Sequence, residues 1–447
     1  MNKPSQPQYE VIIVGGRPAG ASLAARLGQQ NIKTLIVDRA AFPSRPAVST
    51  PFILAHTMQL LDEIGANEAD YAYNTPKMHQ VVLEFKDNFR VFFPMSEKGG
   101  RNYLYTIERG RFDHSLWRNL DKFESVTALE NFAVTDLLRD ENGRVMGITG
   151  RHPQSEQQTF VADCVVGADG RFSTVAQKVN APITEQRTDV DTTIYYAFWE
   201  NVAPYDETGQ PMPHIHTSLD GFSYVFMPTA DDLVSVVVQG QSHLYDPQAG
   251  HVDDEYLRRL QAQPYVWRRL KNARQVTQLS GMKRMGNLFR QAAGPGWALV
   301  GDAYHQKDSI DAQGIYDALI GAKYLAEALI AWREGQDWDE AMQNYGKNAY
   351  SHLKPMFDAT MDRVKREIYD IPPPFVAKTI LKWVLTSDEY KTRFRQVLVR
   401  DLNPEGWLAP AVMVKMLLSG MNSSLQYRLQ QKPNPVAMPP ITTMPQN

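Results

Sequence analysis

Apolar runs and turn residues alternate closely over the first forty positions. Val11-Ile12-Ile13-Val14 is an unbroken apolar run, the pattern of a parallel strand buried on both faces. Gly15-Gly16-Arg17-Pro18-Ala19-Gly20 predicts a turn, Ala21 to Leu27 a helix stopped by Gly28, and Thr34 to Val37 a second strand ending at Asp38-Arg39. Two parallel strands joined by a crossover helix imply an α/β domain. Further on the period changes to two. Val81–Phe85 and Phe89–Phe93 read as a hairpin turning at Asp87-Asn88, and strands are predicted over Thr192–Trp199, Phe222–Met227 and Leu233–Val238. Such strands fit one antiparallel sheet inserted into the α/β domain. Trp297–Val300 then returns to the buried-strand pattern. After a turn, Ile315, Leu319, Ala322, Ala326 and Leu329 share one face of a long helix. Residues 339–430 read as helical. Residues 431–447, broken by Pro433, Pro435, Pro439, Pro440 and Pro445, read as a disordered tail.

At 447 residues the chain can bury a large core without staples. Its net charge of −3 excludes a nucleic-acid binder that relies on excess basic charge. A single cysteine, Cys164, excludes an internal disulfide framework and a multi-cysteine metal site. Met1 to Tyr9 lack an apolar signal region, and no apolar run is long enough to span a bilayer. A cytoplasmic protein with no integral membrane segment is expected.

Three strand ends carry candidate chemistry. In the first turn Gly15 and Gly20 hold the first and third places of a dinucleotide fingerprint, and Arg17 stands where a second glycine is usual. A guanidinium there could pair with phosphate, and the helix start completes an anion site. Asp38 follows at the spacing of an acid that binds ribose hydroxyls. The second strand end is Asp163-Cys164-Val165-Val166-Gly167-Ala168-Asp169-Gly170-Arg171-Phe172-Ser173. The third is Trp297 to Ala303, running on through His305 to Ala312-Gln313-Gly314-Ile315. Asp302 would receive a cofactor hydroxyl, and Gln313 and Gly314 would offer backbone N–H groups at a helix start.

These three motifs, in this order over residues 9–335, resemble the FAD-dependent monooxygenases of the para-hydroxybenzoate hydroxylase type, in a branch with Arg in the glycine turn. The resemblance implies a Rossmann-like FAD-binding domain over 1–75, 105–185 and 281–338. It places a β-sheet substrate domain at 76–104 and 186–280, and a C-terminal helical region at 339–430. It implies that Gly15, Arg17 and Gly20 cradle the FAD pyrophosphate, Asp38 binds the ribose and Arg39 lies by the adenine. Arg109 contacts the cofactor, Asp169 supports the pyrophosphate region and Asp302 binds the ribitol. Gln313, Gly314 and Ile315 flank the flavin ring. Two departures stand out. Ala176 replaces the family's arginine of the middle motif, and Ser309 replaces its late proline.

The implied activity is monooxygenation of an apolar or aromatic small molecule, with FAD, with NADH or NADPH as transient reductant, and with O₂. The protein would be a monomer or homodimer. Three alternatives stay open: an FAD-dependent dehydrogenase or C=C reductase resembling geranylgeranyl reductases, a flavin-dependent halogenase, and a non-enzymatic flavoprotein. The halogenases' Trp-x-Trp motif is absent from the sequence. No catalytic acid or base is singled out. His305 lies in the late motif, and His56 follows Ser49-Thr50-Pro51, a stretch resembling a loop close to the flavin. Tyr196 and Phe198, and Phe222, Tyr224 and Phe226, alternate on strands and are candidates to line the substrate pocket. His214 and His216 share a strand face and read as solvent-facing or substrate-lining rather than as a metal pair; no metal is expected.

Overall fold

The computed structural model describes residues 8–46, 52–86 and 89–429. The Asp87-Asn88 turn, the loop Ser49-Thr50-Pro51 and the tail 431–447 lie outside them.

The first strand, Tyr9–Val14, pairs in parallel with Thr34–Val37 on one side and Gln158–Gly167 on the other. Trp297–Leu299 adds in parallel beyond Gln158–Gly167, and Val126–Leu129 beyond Thr34–Val37. Strand neighbours are therefore far apart in sequence, as crossover connections require. The crossover helix, Pro18–Gln29, starts earlier than the apolar pattern alone indicates, because Pro18 sits at its first position where no N–H is needed. Helix Gly314–Arg333 packs beside it. Its expected stripe from Ile315 to Leu329 is buried, but so are Tyr316, Ala318 and Ile320 off that stripe. The second cover is helix Trp338–Val364, which closes over it and removes the polar face an outer helix would show.

The second sheet runs Arg274–Gln275, Thr192–Glu200, Val234–Gln241, Phe222–Pro228, His214–Thr217, Gln80–Phe85, Phe89–Pro94. It departs from a wholly antiparallel sheet at one place. His214–Thr217 pairs in parallel with Gln80–Phe85, joining segments 130 residues apart. Helices Val252–Gln261 and Pro264–Leu270 cover one face. The other face looks toward Phe52, Leu54 and helix Asp388–Leu398 of the C-terminal region. Among the described residues no helix is long and apolar enough to cross a membrane.

Candidate active site

The carboxyl ends of three adjacent parallel strands meet at one place. Val14 registers with Gly167, and Gly167 with Leu299, so the three turns that follow are neighbours. In open α/β sheets ligands bind outside such strand ends. Gly15 takes φ +106, and a Cβ on it would lie 2.4 Å from the Ala168 carbonyl oxygen. A Cβ on Gly20 would lie 1.8 Å from the Gly15 carbonyl oxygen. Both glycines let strand, turn and helix close on one another. Helix Pro18–Gln29 begins with no side-chain cap and no acid in its first turn, which leaves its leading N–H groups for an anion.

Asp38 is buried beneath this turn. Its carboxylate accepts from Gly16 N–H (2.7 Å) and from Ala40 N–H (2.8 Å), so it braces the turn. Arg39, next to it, is exposed. The Arg17 guanidinium donates to Asp113, to the Ser44 carbonyl (3.0 Å) and to Ser44 Oγ (3.0 Å). Arg109 donates to the same Asp113 through Nε (2.9 Å) and Nη2 (3.0 Å). Two arginines thus clamp one fully buried carboxylate beside the glycine turn. Arg17 lies in that clamp, held through both terminal nitrogens, rather than extended over the helix start.

Asp169 braces the start of helix Thr174–Lys178, whose N-cap is Ser173. It accepts from Ser173 Oγ and from Thr174 N–H (2.7 Å), while Ser173 Oγ accepts from Ala176 N–H (2.9 Å). Burial pushes its carboxyl up, against these hydrogen bonds. Asp302 is the accessible acid, with 39% of its side chain exposed, and it meets Arg171 Nε at 3.0 Å. Arg171 also donates to the carbonyls of Gly286 (3.2 Å) and Lys307 (2.6 Å), tying the middle motif to the late one. Arg171 is a functional residue that the motif spacing alone does not single out. Its signal is its place directly after the Asp-Gly turn.

The late turn is left-handed at Ala312 (φ +58). Gln313 Nε2 donates to the Leu398 carbonyl (2.8 Å), and its N–H is taken by Asp311 Oδ1 (3.3 Å), so Gly314 and Ile315 carry the open end of the helix. Gln313 Oε1 is buried and finds no partner among the described residues. A Cβ at Gly314 would meet nothing within 4 Å. An orphaned buried acceptor, an open cradle at Gly314 and two uncapped helix starts suit a dinucleotide carrying a flavin.

Beside this turn lies a cavity with a largely apolar lining. Its floor is the second sheet, through Val81, Leu83, Ile215, Val225 and Val237, and its wall is Ser309–Ala312 on one side and Phe394 and Leu398 on the other. The strand that was expected to offer Phe222, Tyr224 and Phe226 offers Ser223 and Val225 instead. Those three aromatics are fully buried on the opposite face, against Tyr256, Leu260 and Val266. Tyr196 and Phe198 do point to the cavity's side, packing with Phe52, Leu54 and Ile194, but they stand behind its lining.

His214 and His216 also face away from the cavity and away from solvent. Both are fully buried on Glu84, which His214 Nε2 meets at 2.8 Å and His216 Nδ1 at 3.1 Å. Arg269 Nη1 lies 3.2 Å from His214 Nδ1. A guanidinium has no lone pair to offer, so His214 Nδ1 accepts and Nε2–H donates to Glu84. The proton occupies the lone pair that a cation between these three side chains would need. Burial lowers His214 to about 4, with Glu84 opposing the shift.

His305 packs against Phe289 with the rings tilted (4.4 Å between centroids), with Nε2 unpartnered among the described residues, and burial lowers it to about 3. His56 packs against Tyr316 with the rings tilted (4.4 Å), and neither ring nitrogen has a partner among the described residues. Burial holds it well below its ordinary range. Neither histidine is on the cavity wall. The buried charges at the late turn were not visible in the sequence. Lys307 Nζ lies 2.6 Å from both Asp311 and Asp317, and Arg400 Nη2 donates to Asp317 (3.0 Å). Burial pushes the Asp317 carboxyl up, but Lys307 and Arg400 outweigh it and hold it low.

Comparison with known proteins places this arrangement. The digeranylgeranylglycerophospholipid reductase of Thermoplasma acidophilum is 24% identical over 343 residues, covering 76% of this chain and 82% of that protein. The mitochondrial squalene epoxidase 2 of Arabidopsis thaliana is 24% identical over 425 residues, covering 92% of this chain and 67% of that protein. The solved flavin-dependent brominase Bmp2 shares the fold, with a TM-score of 0.76 and 20% identity, over 95% of this chain and all (100%) of its own. Residues 8–360 match the FAD binding domain family, well over half of the chain, and the protein belongs to that family of FAD-dependent oxidoreductases.

Proposed function

We propose that the protein is an FAD-dependent monooxygenase of the hydroxylase or epoxidase type, using NADH or NADPH and O₂ on an apolar small molecule. The observation that carries this reading is that the apolar cavity ends on Ser309–Ala312, the turn running directly into the open cradle at Gly314. Substrate and flavin would share that wall. When bound, the flavin supplies the redox chemistry: one oxygen atom of O₂ enters the substrate, the other leaves as water, and the nicotinamide is oxidised.

The chain's own residues bind, orient and exclude water. The turn from Gly15 to Gly20 and the helix behind it would hold the pyrophosphate. Asp38 would take the ribose, with Arg39 at the adenine. The Arg17–Asp113–Arg109 clamp and the Asp169 brace fix the turns around it. Asp302, the most accessible of these acids, would take the ribitol. Gly314 and Ile315 would present N–H groups to the ring, with Gln313 beside them. The aliphatic floor keeps water from the reacting centre, which limits loss of reducing equivalents to hydrogen peroxide.

A C=C reductase is the second reading, favoured by the similarity to the archaeal reductase and served equally by a dry cavity. One experiment tests both. FAD-loaded protein is turned over with NAD(P)H, apolar substrates and isotopically labelled O₂. Label in the product supports the monooxygenase. A product that gains two hydrogens and no label moves the assignment to the reductase.

A further inference from the structure

Every charged group on the cavity wall is already neutralised from within the chain. Asp311 is the one carboxylate among the described lining residues. It accepts from Lys307 Nζ (2.6 Å), Thr360 Oγ1 (3.0 Å) and Gln313 N–H (3.3 Å). Arg363 is the one cation there, and its Nε donates to Glu367 (2.9 Å) one helical turn on. The polar remainder is Ser223, Ser309 and Gln239. The Gln239 amide donates to Thr192 Oγ1 (2.8 Å) and Asp308 Oδ1 (2.7 Å). The two histidines nearest the late turn pack against aromatic rings away from the wall. Among the described lining residues, no side chain is therefore placed to take a proton from a bound molecule, and none has an uncompensated charge for an ion.

We infer that the cavity selects an uncharged molecule that reacts without losing a proton, an alkene or polyene rather than a phenol or a carboxylic acid. This rests on the oxygenase reading for its chemistry and on the lining alone for its selectivity. An ionised ligand would leave water with no uncompensated charge waiting, because Arg363 is paired with Glu367 and Asp311 with Lys307. A phenol that must ionise to react would find no free base. An alkene needs neither, and the floor of Val81, Leu83, Ile215, Val225 and Val237 offers it only aliphatic contact.

The test is a binding titration of the FAD-loaded protein at neutral pH with a matched pair, methyl dodecanoate and dodecanoate, followed by tryptophan fluorescence. A third probe, 4-hexylphenol, is followed by its ultraviolet difference spectrum. The ester is expected to bind at least about tenfold tighter than the carboxylate. The phenol is expected to show no phenolate band. Val225→Trp fills the floor and should abolish ester binding while flavin content is unchanged; if that variant does not fold, Leu398→Trp fills the cavity from the opposite wall. Dodecanoate binding as tightly as the ester, a phenolate band, or no binding of the ester overturns the inference. Repeating the titration on flavin-free protein separates the two readings. Ester selectivity in a chain that takes no FAD would sink the oxygenase, while a full flavin complement without selectivity would sink this inference alone.

Discussion

Gly314→Ala separates the fold from the cofactor. Gly314 is the first residue of helix Gly314–Arg333, and an added Cβ meets nothing within 4 Å of the protein. In the flavin-free chain the methyl group has room. Its effect there is the loss of unfolded-state freedom, which stabilises by about 0.4–1 kcal/mol. If a flavin ring lies against this turn, the same methyl intrudes on it. Overpacking of that kind costs about 1–3 kcal/mol, a weakening of roughly 5- to 150-fold. The two effects have opposite signs, so general damage cannot imitate them. The assay pairs urea unfolding of apoprotein with FAD titration by flavin fluorescence. Gly20→Ala is the contrast, because its Cβ would collide with the Gly15 carbonyl at 1.8 Å and should damage apoprotein and flavin binding together. An FAD affinity within twofold of the parent's in Gly314→Ala would refute the argument and move the flavin away from this turn.

Other expectations follow from the same contacts. Arg17→Ala removes one arm of the clamp on the buried Asp113 and should lower stability by about 1.5–3 kcal/mol even without FAD; stability lost only in the holoprotein would place Arg17 on phosphate instead. His214 and His305 stay neutral when folded, at about 4 and about 3 against an ordinary 6.5, so their contribution is complete above pH 6.5 and fades as pH falls from there toward those values. Together they should lose about 4 kcal/mol between pH 7 and pH 5. A urea midpoint unchanged over that range would show that these rings are open to protons. Arg400→Ala frees one end of the 398–401 segment from Asp317 and should speed limited proteolysis there, at a stability cost of about 1.5–3 kcal/mol; an unchanged cleavage rate would mean that Gln313 and Lys98 suffice to hold it. Asp302→Ala removes the accessible acid and should lower FAD occupancy, with a full flavin complement counting against the ribitol contact.

What could be read along the chain was what local pattern dictates. The run Val11–Val14, the glycine turn and Thr34–Val37 announce a parallel strand pair because strands buried on both faces must be apolar throughout. What could not be read was which face of a strand meets the cavity. Alternation fixes a period but no sign when both faces are covered, and here Ser223 and Val225 look to the cavity while Phe222, Tyr224 and Phe226 look to the covering helices. Large aromatics went to the dense packed side, and smaller side chains left the space. His214 and His216 were misplaced for a related reason. Their partner Glu84 arrives through a parallel pairing across 130 residues, and no local signal reports it. The ion pairs of Arg400 with Asp317 and Lys98 with Asp401 are equally remote in sequence.

The wall contributed by Phe394 and Leu398 has a consequence for synthesis. A ribosome delivers residue 52 long before residue 398, and the parallel sheet closes only when Trp297–Leu299 emerges. Folding in the order of emergence would build the flavin cradle first. The cavity stays an open trough until Leu398, Val399, Arg400 and Asp401 dock on Gln313, Lys98 and Asp317. On the proposed function, a nascent or prematurely terminated chain would carry the redox group with its reacting face in water and spend reducing equivalents on peroxide. Quality control over this late segment would then be control over whether reducing power reaches a substrate or leaks.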